Sequence, residues 1–144
     1  MKVYLGADHR GFELKEFLKE HLSEVEIVDK GAYEINPVDD YVDFAKAVAE
    51  EVVQAPDNRG ILICGSGVGV DIAANKIDGV RAGLIEEATQ AKSARMDDDI
   101  NILCLSADQL TAEKALEITK VFLSTPFSQE ERHQRRLDKI KELE

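Results

Sequence analysis

Five short apolar runs alternate with segments of helical periodicity along the chain, and no linker or low-complexity stretch interrupts them. The runs are predicted strands at residues 3–7, 26–28, 60–64, 80–85 and 101–105. Helical patterns follow them at 14–22, 43–54, 68–76, 86–95 and from 112 to the proline at 126, and a last, charged helix is predicted at 129–143. Strands that alternate with helices in this way predict a mostly parallel sheet with helices on both faces.

The predicted fold class is therefore α/β: a three-layer α/β/α sandwich with a five-stranded parallel sheet and an extra C-terminal helix. A length of 144 residues fits a single domain, 1–144. Ligands of such sheets bind beyond the carboxyl ends of the strands. We expect the site there, at the segments that follow the strands: 8–9, 64–69, 86–87 and 106–108.

A glycine-rich loop, CGSGVG at 64–69, joins the third strand to a helix. Glycines let backbone N–H groups turn inward without a Cβ in the way, and a helix N-terminus adds partial positive charge. Such a loop can hold a phosphate or a developing oxyanion. Cys64 is a candidate base or nucleophile, because a helix N-terminus favours the thiolate. The alternative is a small buried residue at a strand end, and Cys104, which has no glycine loop beside it, is interpreted in that way.

A dinucleotide-binding loop is the competing interpretation of this segment. Its G-x-G-x-x-G fingerprint needs a glycine at position 70, where Val70 stands, and the loop follows the third strand rather than the first. The pattern therefore favours a loop for phosphate or an oxyanion.

Two further pairs of polar residues each allow two interpretations. Asp8 and His9 end the first strand, where they either face a ligand or serve as a helix cap beside an exposed histidine. Arg132 and Arg136 are four residues apart on the last helix and share a face. They either bind a phosphate or pair with neighbouring carboxylates in solvent.

An acidic run at 97–99 follows the fourth predicted helix. It is either a solvated turn or, completed by Asp108, a magnesium site, although three consecutive residues rarely converge on one ion. We favour the solvated turn and expect no metal and no cofactor.

The net charge of −11 argues against nucleic acid or an anionic membrane as partner, because both repel an acidic chain. No apolar run approaches the ~20 residues that span a bilayer, and no signal-peptide pattern opens the sequence. Two cysteines in apolar segments are typical of reduced thiols, so we expect a cytoplasmic protein.

Several segments together resemble the type B ribose-5-phosphate isomerases and the related galactose-6-phosphate isomerase subunits. The resemblance covers nearly the whole chain, and the glycine loop with its following helix is its most specific part. The segments that carry it are LGADH at 5–9, DY at 40–41, GILICGSGVG at 60–69, IAANK at 72–76 and RHQRR at 132–136.

The resemblance implies metal-independent aldose–ketose isomerisation of a small phosphorylated sugar through an enediolate, with ribose 5-phosphate as the first expectation. It implies that Cys64 moves the proton, that Ser66 helps to hold the enediolate, and that Asp8 and His9 complete the catalytic set. It also implies a homodimer or a dimer of dimers whose sites draw on both chains, with the last helix at the interface. The substrate-binding residues that it implies are Tyr41, Gly65, Gly67, Gly69, Asp97, Asp98, Arg132, His133 and Arg136.

The chain departs from this family pattern at three positions. Asp97 and Asp98 stand where the family has a His-Asn pair, whose histidine opens the sugar ring, and Asp108 stands where an arginine often meets the phosphate. The departures leave two alternatives open: an isomerase of another pentose or hexose phosphate, and a catalytically weak sugar-phosphate-binding protein.

Overall fold

A computed structural model describes all 144 residues. The strands are β1 (Lys2–Ala7), β2 (Glu26–Asp29), β3 (Arg59–Cys64), β4 (Ala82–Leu84) and β5 (Ile102–Ser106). The helices are α1 (Phe12–His21), α2 (Tyr41–Val52), α3 (Val68–Ala74), α4 (Ala88–Asp98), α5 (Ala112–Ser124) and α6 (Glu131–Lys141).

All strand pairs of the sheet are parallel, and their order is β2-β1-β3-β5-β4. The predicted three-layer α/β/α sandwich with an extra C-terminal helix is confirmed. β5 lies between β3 and β4, an order that the alternation of elements does not reveal. β4 is a short edge strand, so the six-residue run predicted at 80–85 forms only three residues of strand.

Side chains that alternate along the central strands supply two cores. Leu5, Ile61 and Leu103 face α1, α4 and α5, while Leu62 and Ile102 face α2 and α3. All five side chains are fully buried, as expected for strands covered on both faces. This packing fixes the three inner strands, β1, β3 and β5, and therefore the loops at their ends.

The loop that follows β3 lies in a crevice. The helix after β3 packs on one face of the sheet, whereas the helices after β1 and β5, its two neighbours, pack on the other face. Where the loops after two adjacent strands leave on opposite faces of the sheet, a crevice forms between them. This topological switch point is the usual ligand position in such sheets. The Cys64 loop is thus flanked by two such crevices.

Helix α6 lies at the opposite end of the strands from the glycine loop, beside their N-termini. α4 and α5 run back from the carboxyl ends of their strands, and they finish at that same end. The backbone N–H of Ser128 donates to Met96 O at 3.1 Å, so α6 begins beside the end of α4. Farther along, Glu144 accepts a hydrogen bond from Gly79 N at 2.6 Å.

A side-chain amide covers part of edge strand β4. Asn75 Oδ1 accepts from the backbone N–H of Ala82 at 2.9 Å, and Asn75 Nδ2 donates to Ala82 O at 3.1 Å. The amide thereby makes the two hydrogen bonds that a neighbouring strand would make.

The helical pattern at 14–22 predicts that His21 packs into the core, and this prediction is wrong. His21 belongs to the apolar stripe of the first predicted helix, yet it is exposed at the end of α1. Its ring stacks on Phe17 with 4.0 Å between centroids, and Nδ1 lies 2.8 Å from Phe17 O. Because α1 ends at His21, this last position of the apolar stripe lies beyond the core. None of the helices combines the length and apolarity needed to cross a lipid bilayer.

Candidate active site

Cys64 is the last residue of β3 and is 4% exposed. The backbone N–H of Gly67 donates to Cys64 Sγ at 3.2 Å. Gly67 has φ +76°, and a Cβ there would lie 3.1 Å from Leu105 O, so only glycine fits without strain. The sulfur at the end of β3 therefore faces a backbone N–H of the glycine loop.

The segment after β5 fixes the loop from its other side. Ser106 Oγ donates to Gly65 O at 2.7 Å, and the backbone N–H groups of Ala107 and Asp108 donate to Cys64 O and Gly65 O, both at 3.0 Å. The carbonyls are thereby occupied, whereas the amides of Gly65 and Ser66 donate to no acceptor within the chain. The loop therefore presents N–H groups beside the thiol, as an oxyanion site requires.

Two other predicted site residues are found here: Tyr41 contacts the loop and Ser66 belongs to it. The Tyr41 ring, 39% exposed, packs over Gly69, where a Cβ would lie 2.6 Å from Tyr41 Cζ. Ser66 is exposed, and its Oγ accepts from Val68 N at 3.2 Å. The close approach of Tyr41 explains the glycine at position 69.

Asp8 and His9 follow β1 and take different roles. Asp8 is buried, and its Oδ1 accepts from the N–H groups of Arg10 and Gly11, both at 3.0 Å, so it holds the turn that leads into α1. His9 Nδ1 lies 2.7 Å from Asp39 Oδ1, which also accepts from His9 N at 3.0 Å. Sequence reasoning missed Asp39, whose only signal is its position just before Asp40 and Tyr41.

Asp8, His9 and Asp39 form the one cluster whose potential metal-binding atoms all lie within 4.8 Å of one another. The hydrogen bonds just described already account for the arrangement of these side chains. We therefore interpret the cluster as a turn-stabilising aspartate beside a histidine–carboxylate pair.

Arg10 is a second residue that sequence reasoning missed. Its guanidinium forms an ion pair with Asp108 and lies over Gly65, where a Cβ would collide with it. Both partners are about half exposed, so the pair stands at the open mouth of the loop. The only sequence signal is that Arg10 directly follows Asp8 and His9.

The other predicted site residues lie at the opposite edge of the sheet. Asp97 and Asp98 end α4, and Arg132 and Arg136 are exposed on α6. Arg132 Nε donates to Glu130 at 2.8 Å. His133 is 3% exposed, with Nδ1 2.8 Å from Ser128 Oγ and Nε2 3.7 Å from Asp97 Oδ1. Within one chain this group cannot reach Cys64.

The magnesium alternative is excluded for the acidic run. Asp99 pairs with Arg81 and Arg95, at 2.8 and 2.7 Å, at the edge opposite Asp108. The four carboxylates therefore do not converge.

The second cysteine behaves as expected of a core residue. Cys104 is fully buried in β5, and burial, aided by the neighbouring Asp71 and Cys64, raises the pKa of its thiol well above the ordinary value. It therefore stays protonated.

A parallel α/β sandwich with a thiol beneath an amide-lined glycine loop at its switch point defines a class: enzymes and binding proteins that hold small anionic or polyhydroxylated ligands at the carboxyl edge of the sheet. Comparison with known sequences narrows that class. The model of the family described as "Ribose/Galactose Isomerase" matches residues 3–140. The chain belongs to this family.

Individual relatives match this chain over nine tenths or more of their length. The chain is 41% identical to the probable ribose-5-phosphate isomerase B of Mycoplasma pneumoniae, covering 96% of this chain and 91% of the relative. It is 41% identical to the ribose-5-phosphate isomerase B of Mycobacterium tuberculosis strain H37Rv, covering 100% and 90%. The crystal structure of the Mycoplasma genitalium ribose-5-phosphate isomerase B with bound ribulose-5-phosphate superposes with a TM-score of 0.94 at 42% identity, over 99% of this chain and 95% of that one.

Proposed function

We propose that the protein interconverts ribose 5-phosphate and ribulose 5-phosphate without a metal. The observation that carries the proposal is Cys64 Sγ, held 3.2 Å from a loop amide beside further N–H groups, in a chain whose relatives are ribose-5-phosphate isomerases B. Such a reaction belongs to pentose phosphate metabolism, and we place it in the cytoplasm.

Cys64 is the proposed catalytic base. Its thiolate removes the proton from C2 of the open-chain aldose, the electrons form the C1–C2 double bond, and the charge moves to O1. The O2 proton then passes to O1, the same sulfur returns its proton to C1, and the C2–O2 bond becomes the carbonyl of the ketose. Ser66 and the amides around Gly65, Gly67 and Gly69 bind the developing oxyanion, and Tyr41 packs beside the substrate.

The phosphate is bound in this proposal by Arg132 and Arg136 of a second copy of the chain. A single chain keeps these arginines and Cys64 at opposite edges of the sheet, so one complete site needs two chains. An exposed apolar surface near the loop supports such an association; it includes Val38, Tyr41, Val42, Val68 and Ile72. His133, on the buried face of α6, holds the helix that carries both arginines. Asp97 and Asp98, which lie at the same ends of the strands, complete the substrate contacts.

A second candidate is the isomerisation of another pentose or hexose phosphate. The observation that favours it is the carboxylate at three positions, Asp97, Asp98 and Asp108, where the resemblance implies a histidine, an amide and an arginine. A binding protein without turnover remains the third alternative.

The test is turnover of Cys64→Ala, with Cys104→Ala as the matched control because it removes the other buried thiol. We expect Cys64→Ala to lose at least ~10²-fold in kcat on ribose 5-phosphate, with an unchanged melting temperature, whereas Cys104→Ala keeps most of its activity. Wild-type turnover in Cys64→Ala would disprove the assignment of the base. A panel of aldose phosphates, assayed with wild-type protein, separates the three candidates.

A further inference from the structure

The chain contains three histidines, and two of them cannot act beside Cys64. His21 ends α1, at the edge of the sheet opposite the glycine loop. His133 lies at that same edge. A neighbouring chain could bring that edge to the loop, but His133 is 3% exposed and both of its ring nitrogens face partners, Ser128 and Asp97. His9 is left as the one imidazole with an exposed surface at the carboxyl edge.

The surroundings of His9 are those of an acid–base group. Its side chain is 27% exposed, whereas that of Asp39 is only 10% exposed. Asp39 Oδ1 accepts from both His9 Nδ1 and His9 N, which fixes the ring and leaves Nε2 free. Asp39 Oδ2 is buried and has no hydrogen-bond partner. The ring is therefore held by a largely buried carboxylate at Nδ1 and is open to a ligand at Nε2.

We infer that the His9–Asp39 pair opens the sugar ring, with His9 as the catalytic residue and Asp39 as its positioning residue. This inference rests on the proposed function, because it assigns one step of that reaction. It also explains how the chain does without an imidazole at position 97.

One side chain is enough for both proton transfers of ring opening, because the proton that it removes is the one that it returns. Nε2 of neutral His9 takes the proton from the anomeric hydroxyl, the C1–O1 bond becomes a carbonyl, and the bond between C1 and the ring oxygen breaks. The imidazolium then gives the same proton to the ring oxygen, now O4 of the open chain. Nδ1 keeps its proton toward Asp39 throughout, so the histidine ends as it began.

The experiment measures the kinetic isotope effect with ribose 5-phosphate deuterated at C2. His9→Gln and Asp39→Asn should slow turnover by about tenfold or more and bring the isotope effect toward one, because ring opening then limits the rate instead of proton removal by Cys64. His21→Gln and Asp43→Asn are the matched controls, since each changes the same residue type at an exposed position. Both should keep the wild-type rate and isotope effect.

A second substrate checks the same step. Erythrose 4-phosphate cannot close a furanose ring, because its C4 oxygen is esterified. His9→Gln and Asp39→Asn should therefore process it at close to the wild-type rate. Slow turnover of ribose 5-phosphate with a full isotope effect would overturn the inference, as would unchanged turnover. A wild-type protein inactive on ribose 5-phosphate would instead refute the proposed function.

Discussion

Arg10 and Asp108 pair across the mouth of the glycine loop, each from the end of a different strand. The pair is about half exposed, so its contribution to stability is small, ~0–1 kcal/mol. Its effect on charge is larger, because Asp108 neutralises the one guanidinium that lies over Gly65. The net charge that a substrate meets here depends on both residues.

We predict that Asp108→Asn lowers the KM for ribose 5-phosphate by about two- to fivefold at low salt, since the variant frees the Arg10 charge for an anionic substrate. The gain should shrink as ionic strength rises. Arg10→Ala is the control, and combining it with Asp108→Asn should abolish the gain. Steady-state kinetics at two salt concentrations measure the effect, and an unchanged or higher KM in Asp108→Asn would contradict it.

Asp39 and Arg10 show which kind of site residue local sequence patterns do not predict. Cys64 and Ser66 lie in the loop after a predicted strand, so their position at the carboxyl edge follows from the alternation of elements, whereas Tyr41 is indicated only by the family resemblance. Asp39 belongs to a connecting segment without periodicity, and it meets His9 across 30 positions of sequence. Arg10 meets Asp108 across 98 positions. Contacts of this kind depend on strand order, which local patterns do not encode.

The turn between β3 and α3 depends on a left-handed backbone at Gly67, and Gly79 has a similar φ of +85°. The two glycines differ in their surroundings. A Cβ at Gly67 would collide with Leu84 and lie 3.1 Å from Leu105 O, whereas a Cβ at Gly79 would lie 3.3 Å from Val53 Cγ1 only, at the tip of a side chain.

We therefore expect Gly67→Ala to lower the free energy of unfolding by about 2–4 kcal/mol and Gly79→Ala by about 1 kcal/mol, because the first variant adds a collision with backbone to the cost of the left-handed conformation. Urea denaturation of both variants measures the difference. Gly67→Ala should also lose activity, since the amide that faces Cys64 Sγ would move. Equal destabilisation by the two variants would mean that φ alone sets the cost.

Some strand boundaries are set by the local sequence, and others by the strands that lie beside them. The strands at 60–64 and 101–105 were predicted to within a residue because both are continuous apolar runs in the middle of the sheet. The run at 80–85 is equally apolar, yet it pairs on one side only, with β5, and shortens to Ala82–Leu84. Its neighbours in space, not its composition, decide its length.

The separation of Cys64 from Arg132 and Arg136 makes two chains a requirement of the proposed site, and two inactive variants test it. Cys64→Ala lacks the base, and the double variant Arg132→Ala, Arg136→Ala lacks the phosphate contacts. A mixed dimer of the two would hold one complete site. Co-expression should therefore restore about a quarter of the wild-type sites if chains pair at random in a symmetric dimer.

The control is co-expression of Cys64→Ala with a chain that carries all three substitutions, because no mixed dimer of that pair contains a complete site. Activity is measured at substrate concentrations below KM, where lost phosphate binding is most visible. Failure of the first pair to recover activity would contradict a site shared between chains. The sequence indicates this sharing only through the family resemblance, because periodicity places α6 on no particular edge.

The amide of Asn75 has a consequence for how copies of the protein can meet. Exposed strand edges are templates for open-ended association, since each added strand presents a new edge. Asn75 occupies the N–H and C=O of Ala82, and β4 offers only three residues to begin with. An approaching strand finds its hydrogen-bonding positions taken, so growth of the sheet from one molecule into the next is blocked there. On this side of the sheet, association is left to helices and loops, whose surfaces can close on themselves and stop at a defined number of copies.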